Sequence, residues 1–188
     1  MQELRRLENI ALIGFMGTGK TSVGHALAGL LRFQMLDSDE LIEKQAGKRI
    51  SDIFSQEGEP RFRQYEREVV IRLRHCRRTV IATGGGLAAN AENLASLKSH
   101  ALVVCLWASP DLIWERVRYQ SHRPLLHDPD PLGKIARLLE GRSPFYRQAD
   151  VLVNTERRSI REVALQIAHQ FRLGRRRSRE DHPPTRRD

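Results

Sequence analysis

Residues 10–24 read IALIGFMGTGKTSVG, an apolar run that breaks into four glycines with a lysine and a threonine close behind. From Gly14 to Thr21 the spacing is G-x-x-x-x-G-K-[ST], after a strand-like run and before a helical one, the context such a loop requires. Glycines let the backbone take positive φ and approach phosphate oxygens, and the N–H groups of the helix start form an anion site. Gly17, Thr18, Gly19, Lys20, Thr21 and Ser22 are therefore assigned to the phosphates of a nucleotide. Lys20 is expected at the β- and γ-phosphates and the Thr21 hydroxyl on Mg²⁺. A guanine-selecting N/T-K-x-D stretch is absent, as is an apolar strand ending in Asp-Glu, so the loop points to a kinase acting on a small molecule.

Other residue sets supply the second half of a site. In LDSDE, Asp37 and Asp39 are two apart at a strand end and are expected to share one face looking into the crevice. Two carboxylates near a triphosphate repel it unless a metal or a hydroxyl donor lies between, so one suits the metal shell and the other an acceptor hydroxyl. GEPRFRQYERE places Arg63 beside Phe62, TGGG brings backbone amides close to a ligand, and RSPFYRQAD sets Arg142 just before a proline turn. An arginine fork matches a planar carboxylate in a bidentate manner.

Holding these groups together requires alternating strands and helices. Residues 9–14 read as a buried strand, and apolar positions recur at helical spacing from Lys20 to about Leu31. Residues 32–39 read as a short strand, 40–45 as a helix and 50–54 as a helical turn. A longer helix begins near Pro60 with Phe62, Tyr65, Val69, Val70 and Leu73 on one side. Residues 78–83 and 101–108 are the third and fourth strands, the latter apolar throughout and so covered on both faces. A helix over 109–120 opens on Ser109 as N-cap and Pro110, and the proline-rich 121–133 has the length of a lid. Residues 132–140 give a short helix and 151–155 a fifth strand. Ser159 and Glu162 then form a capping box for a last helix that buries Ile160, Val163, Ile167 and Phe171. Such alternation gives a mostly parallel sheet with helices on both faces, an α/β sandwich in one domain.

Taken together, GFMGTGKTSVG, LDSDELIEKQAGKRISDIF, EGEPRFRQYERE, ATGGG, HRPLLHDPD and GRSPFY run in order from about residue 10 to 173 and resemble the shikimate kinases. The resemblance implies a three-layer α/β/α sandwich of the nucleoside-monophosphate-kinase kind, with a five-stranded parallel sheet of order 2-3-1-4-5 and a lid over about 117–133. It implies transfer of the ATP γ-phosphoryl group to the 3-hydroxyl of shikimate, with Mg²⁺ as cofactor. Residue by residue, Asp39 holds the shikimate hydroxyls and is the candidate base, and Asp37 touches the metal through water. Arg63, Arg142 and the amides of Gly84, Gly85 and Gly86 anchor the acceptor, Phe54 and Phe62 line its pocket, and Glu66 orients Arg63. Arg123 reaches over the phosphates from the lid, Arg116 lies beside the adenine, and Arg157 or Arg158 flanks the base from the other side. The family commonly has Leu where this chain has Phe145, a swap that keeps the site apolar.

Composition sets the wider limits. The chain has 188 residues, 40% hydrophobic and 29% charged, ordinary for one globular domain. No run approaches the roughly 18 apolar residues of a membrane span. MQELRRLENI lacks the apolar core of a secretory signal, and a cytoplasmic protein is expected. Cys76 and Cys105 lack metal-type spacing and read as reduced, buried residues, and Trp107 and Trp114 as packing residues. The net charge is +9. Part of it lies in LGRRRSREDHPPTRRD, so residues 1–173 form the kinase domain and 174–188 a basic, disordered tail. No nucleic acid partner is expected beyond what that tail leaves open, and a monomer is the default. Two other readings stand beside the first: another kinase of this fold, such as a gluconate kinase, and a nucleotide-dependent binding protein without turnover.

Overall fold

The apolar run Asn9–Ile13 (β1) is buried along its whole length at the centre of a five-stranded sheet. In this computed structural model, residues 7–119 and 128–180 are described, with side chains as far as residue 175. β1 pairs in parallel with Thr79–Ala82 (β3) on one side and Ala101–Trp107 (β4) on the other. Gln34–Asp37 (β2) adds to β3, and Val151–Asn154 (β5) to β4, again in parallel, giving the order β2-β3-β1-β4-β5 implied by the resemblance. The chain thus leaves β1 for the far edge, returns through β3, and crosses to β4. That reversal opens a crevice beyond the carboxyl ends of β1, β3 and β4, where parallel sheets bind ligands.

Strand alternation sorts the core into two layers. Ile10, Leu12, Val80, Leu102, Val104, Leu106 and Val153 face Lys20–Leu31 (α1) and Ile160–Glu180 (α8), which contribute Val23, Leu27, Val163, Ile167 and Phe171. Ala11, Ile13, Ile81, Val103 and Cys105 face the other way. They meet Ser38–Ala46 (α2), Ile50–Gln56 (α3), Gly58–Leu73 (α4), Ala91–His100 (α5), Pro110–Val117 (α6) and Pro131–Tyr146 (α7). Each fully buried Leu, Ile or Val contributes roughly 1.5–3 kcal/mol, so the sheet is rigid by virtue of both layers. Among the described residues, no helix is long and apolar enough to cross a membrane.

Several boundaries differ from the sequence expectation, each for a local reason. Asp37 ends β2 and caps α2, its side chain accepting from Asp39 N–H at 3.0 Å. Asp39 consequently sits in the first helical turn and not on a strand face with Asp37. The short helix expected over 132–140 is the first part of α7, which continues through Pro144. Arg142 is therefore helical, and no turn follows it; Pro144 only forgoes one backbone bond in the last turn. Residues 91–100, assigned no element from sequence, form α5, capped by the Asn90 side chain on Asn93 N–H at 3.0 Å. α8 continues to Glu180, so residues 174–180 are helical where a tail was expected. Their arginines are good helix formers once Phe171 is anchored in the core. The expected capping box does start α8: Glu162 accepts from Ser159 N–H at 2.7 Å, and Ser159 Oγ accepts from Glu162 N–H at 3.2 Å. Ile160 and Trp107, expected in the core, are 49% and 44% exposed.

The amino edge of the sheet is closed by one buried amide. Asn9 Oδ1 accepts from Thr79 N–H at 3.1 Å, which fixes the orientation of its side chain. Its Nδ2 then donates to the Cys76 carbonyl at 2.8 Å and to His100 Nδ1 at 3.0 Å. His100 must therefore accept at Nδ1, which protonation would forbid. Burial lowers its pKa below the ordinary histidine value, and Arg74 and Arg77 lower it further while Glu8 opposes them. A depressed folded-state pKa means that the unfolded chain binds the proton first, so stability is complete above pH ~6.5 and declines as pH falls below it. Chemical unfolding of the wild type between pH 7.5 and 5, set against His100→Gln, should show this decline in the wild type and a flatter profile in the variant. Parallel profiles would mean that His100 is not the titrating group.

Candidate active site

The phosphate loop leaves β1 with Gly14, Gly17 and Gly19 at φ of 129°, 75° and 92°. At Gly14 the need for glycine is also steric, because a Cβ there would lie 2.1 Å from the Leu106 carbonyl oxygen. Thr18 Oγ1 donates to the Phe15 carbonyl at 2.8 Å and closes the turn. Lys20, in the first turn of α1, is nearly buried and donates through Nζ to the carbonyls of Gly14 and Phe15 at 2.9 and 2.8 Å. The ammonium thus lies across the mouth of its own loop. Thr21 Oγ1 donates to Asp37 Oδ2 at 3.0 Å, which ties the start of α1 to the end of β2. Beneath the loop, burial pushes the Cys105 thiol up to about 12 against the nearby Lys20, so it is a neutral packing group. Cys76, expected to be buried, is only partly so.

The end of β3 is bound to that of β1: Thr83 N–H and Oγ1 both donate to the Leu12 carbonyl at 3.1 Å. Gly84 follows, and its N–H donates to the buried Ser38 Oγ at 2.8 Å. That amide, assigned to the acceptor from sequence, is occupied by the protein itself. A Cβ on Gly84 would come within 2.3 Å of Asp39 Oδ1, so the carboxylate lies against bare backbone. No metal-binding group of three or more His, Cys, Asp or Glu exists among the described residues.

Arg63 and Arg142 approach the glycine loop from different helices. Arg63, on α4, donates through Nη1 to Glu66 Oε2 at 2.8 Å and through Nη2 to Glu59 Oε1 at 2.7 Å. Glu66 is 2% exposed; burial raises its pKa, and the Arg63 guanidinium works against that rise. Arg142 donates from Nη1 to the Gly85 carbonyl at 3.1 Å and lies over the Phe15 ring, 5.2 Å from its centroid. Tyr146, one turn on, donates to the same carbonyl at 2.6 Å. Arg63, Glu66, Arg67, Gly86, Ala89, Asn90, Asn93 and Arg142 line a cavity of about 230 Å³.

Phe54 and Phe62 stack at 4.7 Å between centroids beside Arg63, with Phe62 buried and Phe54 exposed, and neither belongs to that lining. Asn90 and Asn93 escaped sequence reading because no helix was assigned to 91–100. Ser38 and Tyr146, although they lie in the LDSDE and GRSPFY stretches, have no role assigned from sequence, because the distant backbone a hydroxyl bonds cannot be read from spacing. Asp37 and Asp39 were the signal for Ser38, which stands between them.

On the opposite side, Arg116 donates to the Gly17 carbonyl at 3.2 Å, Thr155 Oγ1 at 3.1 Å and the Thr155 carbonyl at 3.0 Å. It joins the phosphate loop to the segment after β5. Arg158 donates to Gln166 of α8 at 2.5 Å, and Arg157 has φ of 50°. Arg123 and residues 120–127 of the expected lid lie outside the described residues.

A glycine phosphate loop on the central strand, a 2-3-1-4-5 sheet and two arginines over a second glycine loop define a P-loop kinase for a small acceptor. A family model described as "Shikimate kinase" matches residues 16–172. The shikimate kinase of Thermodesulfovibrio yellowstonii is 46% identical over 165 residues, covering 88% of this chain and 95% of that protein. Acinetobacter baumannii shikimate kinase, solved in complex with shikimate, is 39% identical with a TM-score of 0.84, covering 89% of this chain and 94% of the other. A gluconokinase from Sinorhizobium meliloti, 18% identical with a TM-score of 0.60, shares the fold. The chain belongs to the shikimate kinase family.

The Gly84 contact gives a direct test. Gly84→Ala should displace the Asp39 carboxylate and reduce turnover by about 100-fold or more, with nucleotide affinity and melting temperature little changed. Near-normal turnover would show that Asp39 tolerates displacement.

Proposed function

We propose that the protein transfers the γ-phosphoryl group of ATP to the 3-hydroxyl of shikimate, releasing shikimate 3-phosphate and ADP in aromatic amino-acid biosynthesis, and that it acts as a cytoplasmic monomer. The observation that carries this reading is the pair Arg63 and Arg142 on one cavity beside Gly86, next to a phosphate loop and an aspartate. Two guanidiniums suit an acceptor that bears a carboxylate, and the bare backbone opposite Asp39 suits a hydroxyl. The shikimate-bound relative, alike over nearly the whole chain, supports the same acceptor.

Phosphoryl transfer of this kind needs positioning and charge neutralisation more than covalent help. The triphosphate lies along Gly17–Ser22 in this reading, and Lys20 exchanges the carbonyls of its loop for β- and γ-phosphate oxygens. Arg116, and Arg158 less directly, serve the adenine end, and the resemblance assigns Arg123 to the phosphates. The Thr21 hydroxyl would hold Mg²⁺ directly and the Asp37 carboxylate, bonded to that hydroxyl, through water, hard oxygen groups of the kind that suit the ion. Bound there, Mg²⁺ supplies neutralisation of phosphate charge. Arg63 and Arg142 hold the acceptor carboxylate, the Gly85 and Gly86 amides anchor the acceptor from another side, Phe54 and Phe62 back the pocket, and Glu66 keeps Arg63 in place. Asp39 accepts a hydrogen bond from the attacking hydroxyl. As the new O–P bond forms and the bond from Pγ to the β-phosphate oxygen breaks, the hydroxyl proton passes to Asp39 and then to water.

A coupled ADP-release assay with shikimate, gluconate and nucleoside monophosphates tests the acceptor. Turnover is expected with shikimate and Mg²⁺ alone, and silence with shikimate overturns the reading. Lys20→Ala and Asp39→Asn should each lower kcat by about 100-fold or more in a folded protein. Arg142→Ala should chiefly raise the KM for shikimate, and an unchanged value would remove Arg142 from the pocket.

A further inference from the structure

Three consecutive glycines have the widest conformational freedom a backbone allows, yet Gly84–Gly86 must present their peptides in one orientation. Two hydroxyls outside the loop supply the constraint. Ser38 is fully buried and accepts Gly84 N–H at 2.8 Å. Because Ser38 stands between Asp37 and Asp39, this bond also fixes the start of α2 against the glycine loop. Tyr146 is 7% exposed and donates to the Gly85 carbonyl at 2.6 Å. A trans peptide points its carbonyl and the following N–H to opposite sides. Holding the Gly85 carbonyl therefore aims Gly86 N–H away from Tyr146 and Arg142. Gly86 itself lies under Arg63, whose Nη1 would be 2.7 Å from a Cβ placed there. Burial pushes the Tyr146 phenol up to about 12, against the effect of Arg142, so it remains a donor at any working pH.

We infer that Ser38 and Tyr146 are positioning residues for the acceptor: neither touches it, and each sets one peptide plane of the glycine loop so that Gly86 N–H, Arg142 and Asp39 meet the acceptor in a single geometry. The inference rests on the shikimate kinase reading above. Arg142 alone does not suffice as the holder of Gly85, because it is assigned to the acceptor carboxylate, and the phenol keeps the carbonyl satisfied when the guanidinium turns to the ligand. Ser38 acts in the same way on the Thr83–Gly84 peptide, two peptides earlier.

Ser38→Ala and Tyr146→Phe each delete one hydroxyl with little change of shape. In each variant the shikimate Kd by calorimetry and the shikimate KM should rise about tenfold, the value of one hydrogen bond, with the ATP KM within about twofold of wild type. The double variant should lose both effects together. Wild-type shikimate affinity in both single variants overturns the inference, as does an equal loss of ATP and shikimate affinity, which marks general loosening. A fall in melting temperature with an unchanged KM assigns the hydroxyls to stability only and also overturns it. Wild-type protein that fails to turn over shikimate overturns the functional reading itself, a separate result from either.

Discussion

The approach of two glycine loops to within backbone contact is the constraint on which the site depends. A Cβ on Gly85 would be 3.3 Å from Met16 N of the phosphate loop and 3.8 Å from the Gly14 carbonyl oxygen, and one on Gly14 would strike the Leu106 carbonyl at 2.1 Å. Phosphoryl transfer needs donor and acceptor atoms held about 3–3.5 Å apart. Side chains between the loops would hold the substrates further apart, so the seam is built from backbone alone. Such a seam has no side chains with which to hold itself. Its order is imported from the sheet through Thr83 on Leu12, and from flanking helices through Ser38, Arg142 and Tyr146.

The charges obey a related economy. A guanidinium half-buried without partners would carry a large desolvation penalty, and both acceptor-side arginines avoid it in different ways. Arg63 is shared between Glu66, which is buried, and Glu59, whose side chain is 61% exposed. The exposed pair is worth little and is readily exchanged for a ligand carboxylate, whereas the buried pair fixes where the guanidinium stands. Arg142 rests on the Gly85 carbonyl and the Phe15 ring, both weaker partners than a carboxylate. The resting partners thus keep the arginines aimed without competing strongly for them.

Much of this was legible in the sequence, because glycine, lysine and aspartate at fixed spacing have few alternative uses. The phosphate loop, the alternation of strands and helices and the capping box of α8 follow from local rules that the sheet does not overturn. The failures have a common cause in side chains that act on distant backbone. Asp37 caps α2 and so moves Asp39 off the strand. Ser38 takes the Gly84 amide across a separation of 46 residues, and Tyr146 the Gly85 carbonyl across 61, distances at which no local pattern survives. α5 was missed because its apolar stripe, Leu94 and Leu97, is too short to show a period, although Asn90 is a good N-cap.

The two ends of β1 complete the picture. At its amino end one Asn9 amide satisfies the Thr79 N–H, the Cys76 carbonyl and His100 Nδ1, groups matched by the protein itself. At its carboxyl end the Lys20 ammonium rests on the carbonyls of its own loop and the Thr21 hydroxyl on Asp37, contacts that a ligand replaces at small cost. A polar group fully matched inside the fold stabilises it and has nothing left for a substrate. One held by weak contacts contributes less to stability and keeps its capacity for binding. The same parallel strand therefore carries stability at one end and chemistry at the other, and substitutions along it should divide between melting temperature and turnover by their position on it.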